Sequence, residues 1–209
     1  MNYKKIKVDL IGTGGHSRVL IDICKSLNIK IENLYENGLK ILEKNKKIED
    51  IPILEFEKNV ELKNKNILLA IGDLYERSKL FNKYLIQNKL LNLAHQQALI
   101  SANLIQKLGN IICKGVIIGP NVILGNNNLI NTGAIIDHEV IINDNCNIGP
   151  GSKIGGRTKI ENNVNIGIGV TIIDKITIGN DVIVGAGSVV IDNLLPNSTY
   201  VGVPAKKIK

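Results

Sequence analysis

Branched aliphatic residues recur at every sixth position between residues 112 and 190. The run holds fourteen positions without a change of register, and small or apolar residues often precede each aliphatic by two positions. The fourteen are Ile112, Ile118, Leu124, Ile130, Ile136, Ile142, Ile148, Ile154, Ile160, Ile166, Ile172, Ile178, Val184 and Val190. Two inward-facing positions spaced by two residues fit one short strand. A strict period of six is typical of a hexapeptide β-helix.

Glycine or asparagine often follows the aliphatic residue, as at Gly119, Gly125 and Asn131. We expect these residues to make the corners, because they accept positive φ angles at low cost. With three strands in each coil, fourteen hexads predict between four and five coils. The alternative is a β-sandwich, but its turns would not keep a six-residue register. The pattern therefore predicts a parallel β-helix over residues 108–209.

The N-terminal pattern is different and predicts a strand, a glycine turn and a helix. Residues 5–11 read as the strand, residues 12–17 as the turn, and apolar residues at helical spacing continue to Leu27. This order resembles the start of a nucleotide-binding βαβ unit, in which glycines let the backbone approach a ligand and the helix N-terminus attracts an anion. Ser17 stands where GxGxxG has its third glycine, so a tight turn without a ligand is the alternative.

Two more predicted strands, around residues 29–34 and 66–71, run into further candidate ligand contacts. The carboxyl ends of parallel strands meet at one edge of a sheet, where ligands bind. The residues expected to bind a nucleotide or sugar there are Gly14, Gly15, His16, Tyr35, Glu36, Gly72 and Asp73. We therefore predict a Rossmann-like α/β domain over residues 1–90 and an extended link over residues 91–107, ahead of the β-helix.

Composition narrows the class of protein. Hydrophobic residues make up 44% and charged residues 22%, as in a folded globule. The sequence contains no secretory signal and no apolar run long enough to cross a bilayer, so we expect no membrane span and a cytoplasmic location. The three cysteines lack paired spacing and read as reduced core thiols, not metal ligands. With 3% aromatic residues and no recognition motif, a nucleic-acid partner is not expected.

Positive charge is concentrated in the N-terminal half. Residues 1–107 carry 18 basic and 12 acidic side chains, hence +6, whereas residues 108–209 carry 8 and 7, hence +1. A basic half would attract a phosphorylated ligand. An ordinary solvated surface has the same composition, and the sequence leaves both interpretations open.

One corner of the predicted β-helix carries three ionisable residues, Asp137, His138 and Glu139. Imidazole titrates near neutral pH, so His138 is suited to take a proton from an attacking amine or hydroxyl group. A carboxylate on its other ring nitrogen would fix the tautomer, and either Asp137 or Glu139 is positioned in sequence to supply it. A surface histidine without function is the alternative.

At this point the chain resembles the bacterial sugar acyltransferases that join a small Rossmann-like domain to a left-handed β-helix. The resemblance covers nearly the whole chain and includes N-acetyltransferases of UDP-linked amino sugars and O-acetyltransferases of sialic acid. The motifs that carry it are Gly12-Thr13-Gly14-Gly15-His16, Ala70-Ile71-Gly72-Asp73 with Arg77, Asn131-Thr132-Gly133-Ala134, Asp137-His138-Glu139 and Gly202-Val203-Pro204-Ala205-Lys206.

The resemblance implies a role for individual residues. His138 matches the family's catalytic base and Glu139 the residue that increases its basicity. Acetyl-CoA, the implied co-substrate, would contact Asn147, Gly156, Ile168 and Ala186. The family often has a second histidine nine residues after the base, and here that position is Asn147, which donates hydrogen bonds but does not titrate. The resemblance further implies a homotrimer with acetyl-CoA between neighbouring β-helices. No metal is expected, because the β-helix has a single histidine and the cysteines lack ligand spacing.

The resemblance, together with the glycine turn, thus implies an acetyl-CoA-dependent N-acetyltransferase acting on the 4-amino group of a UDP-4-amino-4,6-dideoxy sugar in bacterial glycan biosynthesis. The attack is expected to be direct, because Cys146 falls on an inward position and no other residue is an obvious nucleophile. An O-acetyltransferase of sialic acid is one alternative. A non-catalytic nucleotide-sugar-binding protein is another. A metalloprotein like the gamma-carbonic anhydrases would need several histidines around the coils, and this β-helix has His138 alone.

Overall fold

The computed structural model describes residues 6–36, 47–55 and 62–209. The chain divides into two compact units, residues 1–91 and 92–209. The described residues of the first unit form a mainly parallel sheet with two helices, and the second unit is a stack of short parallel strands. The predicted fold class, an α/β domain followed by a parallel β-helix, is confirmed.

The first unit has a βαβ framework. Its elements are β1 (Lys7–Ile11), α1 (Gly15–Ser26), β2 (Lys30–Glu36), β3 (Lys47–Ile48), β4 (Ile51–Glu55), β5 (Asn66–Leu69), α2 (Leu74–Leu85) and β6 (Lys89–Leu90). The sheet order is β3-β4-β2-β1-β5-β6, and β3–β4 is its antiparallel pair. The chain moves from β1 to β2 on one side and returns to place β5 on the other side of β1. Ligand crevices of open parallel sheets form at such a reversal.

Both helices bury one face. Helix α1 buries Leu20, Ile23 and Cys24, which recur at helical spacing. Helix α2 begins at a cap, because the Asp73 carboxylate accepts a hydrogen bond from the Glu76 amide at 2.9 Å. The sheet and α2 together enclose an apolar core, and its packing holds the carboxyl ends of the strands in place. The members of this core are Ile11, Tyr35, Leu62, Ile67, Leu69, Phe81, Tyr84 and Leu90.

The second unit consists of short strands that wind around three faces. The strands are β7 (Leu93–Ala94), β8 (Leu99–Ile100), β9 (Ile105–Gln106), β10 (Ile111–Ile112), β11 (Ile117–Ile118), β12 (Ile123–Leu124), β13 (Leu129–Ile130), β14 (Ile135–Ile136), β15 (Ile141–Ile142), β16 (Asn147–Ile148), β17 (Lys153–Ile154), β18 (Lys159–Ile160), β19 (Asn165–Ile166), β20 (Thr171–Ile172), β21 (Thr177–Ile178), β22 (Ile183–Val184), β23 (Val189–Val190), β24 (Thr199–Val201) and β25 (Lys206–Lys207). Face 1 holds every third strand from β7 to β22 and is extended by the hairpin β24–β25, face 2 runs from β8 to β23, and face 3 from β9 to β21.

Residues at the same place on successive coils lie side by side. Ile112 pairs with Ile130, and Ile136 pairs with Ile154. All fourteen aliphatics of the six-residue pattern point inward, and none is more than 2% exposed. Side-chain contacts from coil to coil keep a sequence separation of 18, as between Asn127 and Asn145 and between Asn143 and Glu161. One coil is therefore three hexads long.

The prediction of an extended link over residues 91–107 is wrong, because these residues form the first coil of the β-helix. Strands β7, β8 and β9 pair with β10, β11 and β12 of the next coil. The six-residue pattern weakens here because Ala94 and Gln106 take the places of larger aliphatics. With this coil included, the helix has between five and six coils, more than the four to five predicted.

The expected positive φ at Gly119, Gly125 and Asn131 is wrong. Left-handed backbone occurs two residues further on, for example at Asn121 (φ 59°) and Gly133 (φ 68°). Glycine directly after the aliphatic is needed for a different reason, because the backbone of the next coil passes too close to leave room for a side chain. A β-carbon at Gly119 would lie 2.9 Å from the His138 amide nitrogen.

The three cysteines are buried and form no disulfide, as expected of core thiols. Burial raises the pKa of the Cys24 and Cys113 thiols to about 12, so neither is a thiolate at neutral pH. None of the helices in the described parts of the chain is long and apolar enough to cross a bilayer.

Candidate active site

The corner between β14 and β15 holds the predicted base. The Nδ1 atom of His138 lies 3.0 Å from Oε2 of Glu139, and both side chains are a little under half exposed. Asp137 is engaged differently, because its Oδ1 accepts a hydrogen bond from the His138 amide at 2.7 Å. Of the two carboxylates that the sequence left open, Glu139 is therefore the partner of the imidazole ring.

Glu139 determines which ring nitrogen carries the proton. Its hydrogen bond with His138, followed by its hydrogen bond with Arg157, lowers the pKa of the Glu139 carboxyl group. An ionised carboxylate only accepts hydrogen bonds, so Nδ1 must donate. In the neutral ring the lone pair then lies on Nε2, which is the arrangement that proton abstraction requires.

Arg157 is part of this corner and was missed in the sequence. Its Nε donates to the same Glu139 Oε2 atom at 2.9 Å, and its amide donates to the His138 carbonyl oxygen at 2.9 Å. Arg157 occupies the position of Glu139 one full coil later, at a sequence separation of 18. The coil length implied by three hexads would have identified it.

Gly156 lies against the imidazole ring. A β-carbon built on Gly156 would be 2.6 Å from Nε2 and 2.7 Å from Cε1 of His138. Any larger residue would therefore move the ring away from its position. Of the predicted acetyl-CoA contacts, Gly156 is the one that this structure brings to His138.

The other predicted acetyl-CoA contacts lie on different parts of the same coils. Ile168 and Ala186 stack at the corner between faces 1 and 2, where the Gly187 amide donates to the Ile168 carbonyl oxygen at 2.8 Å. The Ile168 side chain is 63% exposed. Asn147 lies on β16 of face 1, between Leu129 and Asn165. Within one chain, these three residues do not share a corner with His138.

In the N-terminal unit, the three predicted ligand segments meet at the carboxyl ends of the strands. The amide and the hydroxyl group of Thr13 donate to Glu36 Oε2 at 2.9 and 2.5 Å. The Gly12 amide donates to the Tyr35 carbonyl oxygen at 2.8 Å. On the other side, a β-carbon on Gly72 would lie 4.0 Å from the β-carbon of His16. The expected convergence of the segments is therefore present.

A cavity of about 260 Å³ opens at this edge. It is lined by Ile11, Gly12, Tyr35, Glu36, Ile71, Asp73, Glu76, Leu80, Lys83 and Tyr84. Lys83 is the one basic residue of this lining, beside the carboxylates of Glu36, Asp73 and Glu76. Such a lining suits ligand hydroxyl and N–H groups better than phosphate groups. Gly14, Gly15, His16 and Gly72 lie outside the lining.

The glycines of the turn fall into two kinds. Gly12 is required by the fold, because its φ is +109° and a β-carbon would lie 2.8 Å from the Ala70 carbonyl oxygen. Gly14 and Gly15 are not required by the fold, since a β-carbon on either would have no atom of the described residues within 4 Å. Their bare backbone, at the start of α1, is open to a ligand.

His16 is neutral at physiological pH. Burial, followed by the nearby Arg77 guanidinium group, lowers the pKa of His16 to about 4. Its Nε2 is buried and has no hydrogen-bond partner among the described residues. A neutral imidazole next to the glycine turn offers both a donor and an acceptor atom.

Comparison with known proteins bears on both units. Residues 7–84 match the family model of the PglD N-terminal domain, and residues 121–156 and 157–192 match the bacterial transferase hexapeptide model of six repeats. A variant of perosamine N-acetyltransferase from Caulobacter crescentus, in complex with CoA and GDP-perosamine, has a similar structure. It is 28% identical with a TM-score of 0.88, and the match covers 97% of each chain. The chain belongs to the bacterial sugar acyltransferase family.

Two further structures share the fold of this sugar acyltransferase. The acetyltransferase domain of PglB from Neisseria gonorrhoeae, in complex with acetyl coenzyme A, is 24% identical, covers 97% of this chain and 98% of its own, and has a TM-score of 0.86. WeeI from Acinetobacter baumannii is 20% identical, covers 98% and 100%, and has a TM-score of 0.82. No curated protein matches the chain in sequence.

These comparisons confirm the predicted family, its left-handed β-helix and the acetyltransferase class of the enzyme. The perosamine N-acetyltransferase structure contains CoA and the PglB structure contains acetyl-CoA, in agreement with the predicted co-substrate. Among the described residues of the sugar acyltransferase, no three histidine, cysteine or acidic side chains are grouped as ligands of a metal ion.

We expect the partly buried His16 to make the N-terminal unit less stable in acid. Its folded-state pKa of about 4 lies below the ordinary value of 6.5, so the unfolded chain binds the additional proton between these values. The free energy of unfolding should therefore fall by about 2–3 kcal/mol as the pH drops through this window. Urea unfolding followed by far-ultraviolet circular dichroism reports on this unit, because the described helices α1 and α2 belong to it.

The His16→Asn variant is the control for this measurement, since it retains a polar side chain that does not titrate. Its unfolding free energy should lose the part of the pH dependence that belongs to His16. Identical pH profiles for the variant and the wild-type protein would contradict the assignment.

Proposed function

We propose that the protein transfers the acetyl group of acetyl-CoA to the 4-amino group of a UDP-linked 4-amino-4,6-dideoxy sugar. The observation that carries this proposal is the paired geometry of His138 and Glu139, in which Nδ1 is hydrogen-bonded to an ionised carboxylate. The N-terminal unit supplies binding of the nucleotide sugar, and the β-helix supplies the chemistry. The N-acetyltransferase that binds GDP-perosamine supports an amine acceptor.

The proposed transfer is direct. The amine nitrogen attacks the thioester carbonyl carbon, a C–N bond forms, and Nε2 of His138 takes the proton that the nitrogen loses. The backbone N–H of Gly156 is the proposed donor to the developing oxyanion. The C–S bond then breaks, and the coenzyme A thiolate is protonated by the imidazolium of His138. The products are the acetamido sugar and free coenzyme A, and Glu139 stabilises the transient imidazolium.

The N-terminal crevice supports a nucleotide ligand in two ways. The open backbone at Gly14 and Gly15, at the start of α1, is suited to the diphosphate. The acidic cavity beside it is suited to the ribose and base, because a carboxylate at the end of the second strand of such units binds ribose hydroxyl groups. Glu36 occupies that position, although its Oε2 also holds Thr13.

A homotrimer would explain why three of the predicted acetyl-CoA contacts are spread over two corners and the fourth, Asn147, lies on face 1. Gly156 lies at the corner of His138, whereas Ile168 and Ala186 lie at the corner between faces 1 and 2. If two copies pack side by side, the His138 corner of one copy faces the other corner of its neighbour. Each acetyl-CoA would then lie between two β-helices, which is the arrangement that the family resemblance implies.

The substrate prediction is tested by coenzyme A release from acetyl-CoA. We expect release with the UDP-4-amino sugar and a loss of at least about 100-fold in the His138→Gln variant, because general-base catalysis contributes about that much. Parallel reactions contain the GDP-linked amino sugar, CMP-sialic acid or free sialic acid. Release with the GDP sugar alone would overturn the uridine assignment, and release with sialic acid alone would make the enzyme an O-acetyltransferase.

Replacement of Gly156 tests the position of the imidazole. The β-carbon of Gly156→Ala would overlap the ring, so we expect kcat to fall by about 100-fold with little change in thermal stability, since the displaced group is the end of a side chain. The matched control is Asp174→Ala, which puts alanine at the same corner position one coil later. Wild-type kcat in Gly156→Ala would contradict the proposed role of His138 Nε2.

Mixed oligomers test the shared site. The His138→Ala variant lacks the proposed base, and a bulky Ala186→Trp side chain should block the proposed acetyl-CoA contact. Each variant alone should be inactive. Co-expressed trimers should regain about a quarter of the wild-type activity, because a random mixture makes one interface in four with both intact corners. No recovery in trimers that contain both variants would place the whole site within one chain.

A further inference from the structure

Arg157 binds both members of the proposed catalytic pair. Its Nε atom donates to Glu139 Oε2, the same oxygen that faces Nδ1 of His138, and the two distances are 2.9 and 3.0 Å. Its backbone amide donates to the His138 carbonyl oxygen at 2.9 Å. Arg157 belongs to the next coil, so these contacts connect the pair to a part of the chain that is distant in sequence.

Glu139 needs a second contact to keep its carboxylate in one orientation. Its backbone is fixed by the corner, where φ is +58°. Its side chain has three rotatable bonds, is 45% exposed, and has one contact with His138 through Oε2. A planar guanidinium group is well suited to hold a carboxylate in one orientation, because its donors are arranged in a rigid planar fork. In this structure one donor of that fork, Nε, makes the contact.

A second cation at the same corner, one coil further on, shows that a positive charge at this position is not sufficient to contact Glu139. Lys175 occupies the position of Arg157 one coil later, and its Nζ lies 3.4 Å from Asp174 Oδ2. Within the described residues, its ion pair is with Asp174 and not with Glu139. An exposed ion pair of this kind contributes little by itself. The contact of Arg157 differs because its acceptor oxygen is the one that orients the ring.

We propose that Arg157 is a positioning residue for acetyl transfer. It holds the Glu139 carboxylate so that Oε2 accepts from Nδ1–H and the lone pair of the ring stays on Nε2. Arg157 acts through Glu139 and contacts neither substrate. This inference rests on the proposed role of His138 as the base.

Three variants separate positioning from charge. Arg157→Gln removes the cation, Arg157→Lys keeps it but loses the planar fork, and Lys175→Gln removes a cation from the same column without contact to Glu139. We expect kcat to fall about tenfold in Arg157→Gln, with the KM values of both substrates within about twofold of wild type. Arg157→Lys should recover part of this loss, and Lys175→Gln should match the wild-type enzyme.

A second measurement does not depend on activity. Nitrogen-15 spectra of the labelled histidine rings distinguish the Nδ1–H tautomer from the Nε2–H tautomer, and the His138→Ala variant assigns the His138 signals. We expect the Nδ1–H signature of His138 to weaken in Arg157→Gln and in Glu139→Gln, and to persist in Lys175→Gln.

The outcomes distinguish this inference from the proposed function. Unchanged kcat and unchanged ring signals in Arg157→Gln would overturn it and leave an ordinary exposed ion pair. A raised KM for acetyl-CoA with unchanged kcat would overturn it in favour of substrate binding. If the wild-type protein transferred acetyl to none of the sugars, the proposed function would fail, while the ring spectra would still decide whether Arg157 orients His138.

Discussion

The coil-to-coil register of the backbone hydrogen bonds is the constraint on which the proposed active site depends. Strands of two residues have no stability of their own, and each coil is held by the coils on either side. The Asp137 amide, for example, donates to the Ile154 carbonyl oxygen at 3.0 Å, and the Gly155 amide to that of Ile172 at 2.9 Å. This repeat fixes the height and direction of each corner. His138 therefore lies over Gly156, and Glu139 lies beside Arg157.

Backbone strain does not distinguish the functional corner from the others. Glu139 has a positive φ, which is uncommon for a residue other than glycine. Asn121, Arg157 and Lys175 have nearly the same φ at the same position of other coils. The left-handed residue is thus a general feature of this corner. What is particular to residues 137–139 is their side chains, namely an imidazole over a glycine with a carboxylate on its Nδ1 side.

The sequence predicted the fold well because the inward positions have a strict period. It predicted the meeting of the N-terminal segments because parallel strands place their carboxyl ends together. It missed the first coil, where Ala94 and Gln106 interrupt the aliphatic pattern, and it assigned the wrong reason to the corner glycines. Arg157 was missed because its contact with Glu139 joins residues that are distant in sequence. The residue pattern alone left Asp137 and Glu139 open because it contains no side-chain directions, whereas the family resemblance pointed to Glu139, the carboxylate that the structure places on Nδ1.

The glycines next to the inward aliphatics have a consequence for the length of the molecule. Because each coil meets its neighbour through the same close backbone contacts, a block of three hexads is a unit that can be added or removed without altering the lateral positions of the others. Each such block would change the height of the column by about 4.8 Å. A whole block inserted between Glu139 and Arg157 would instead separate the two residues by a further coil and break their contact. Blocks added elsewhere in the column would leave the spacing inside the proposed site unchanged, because Glu139 and Arg157 lie one coil apart.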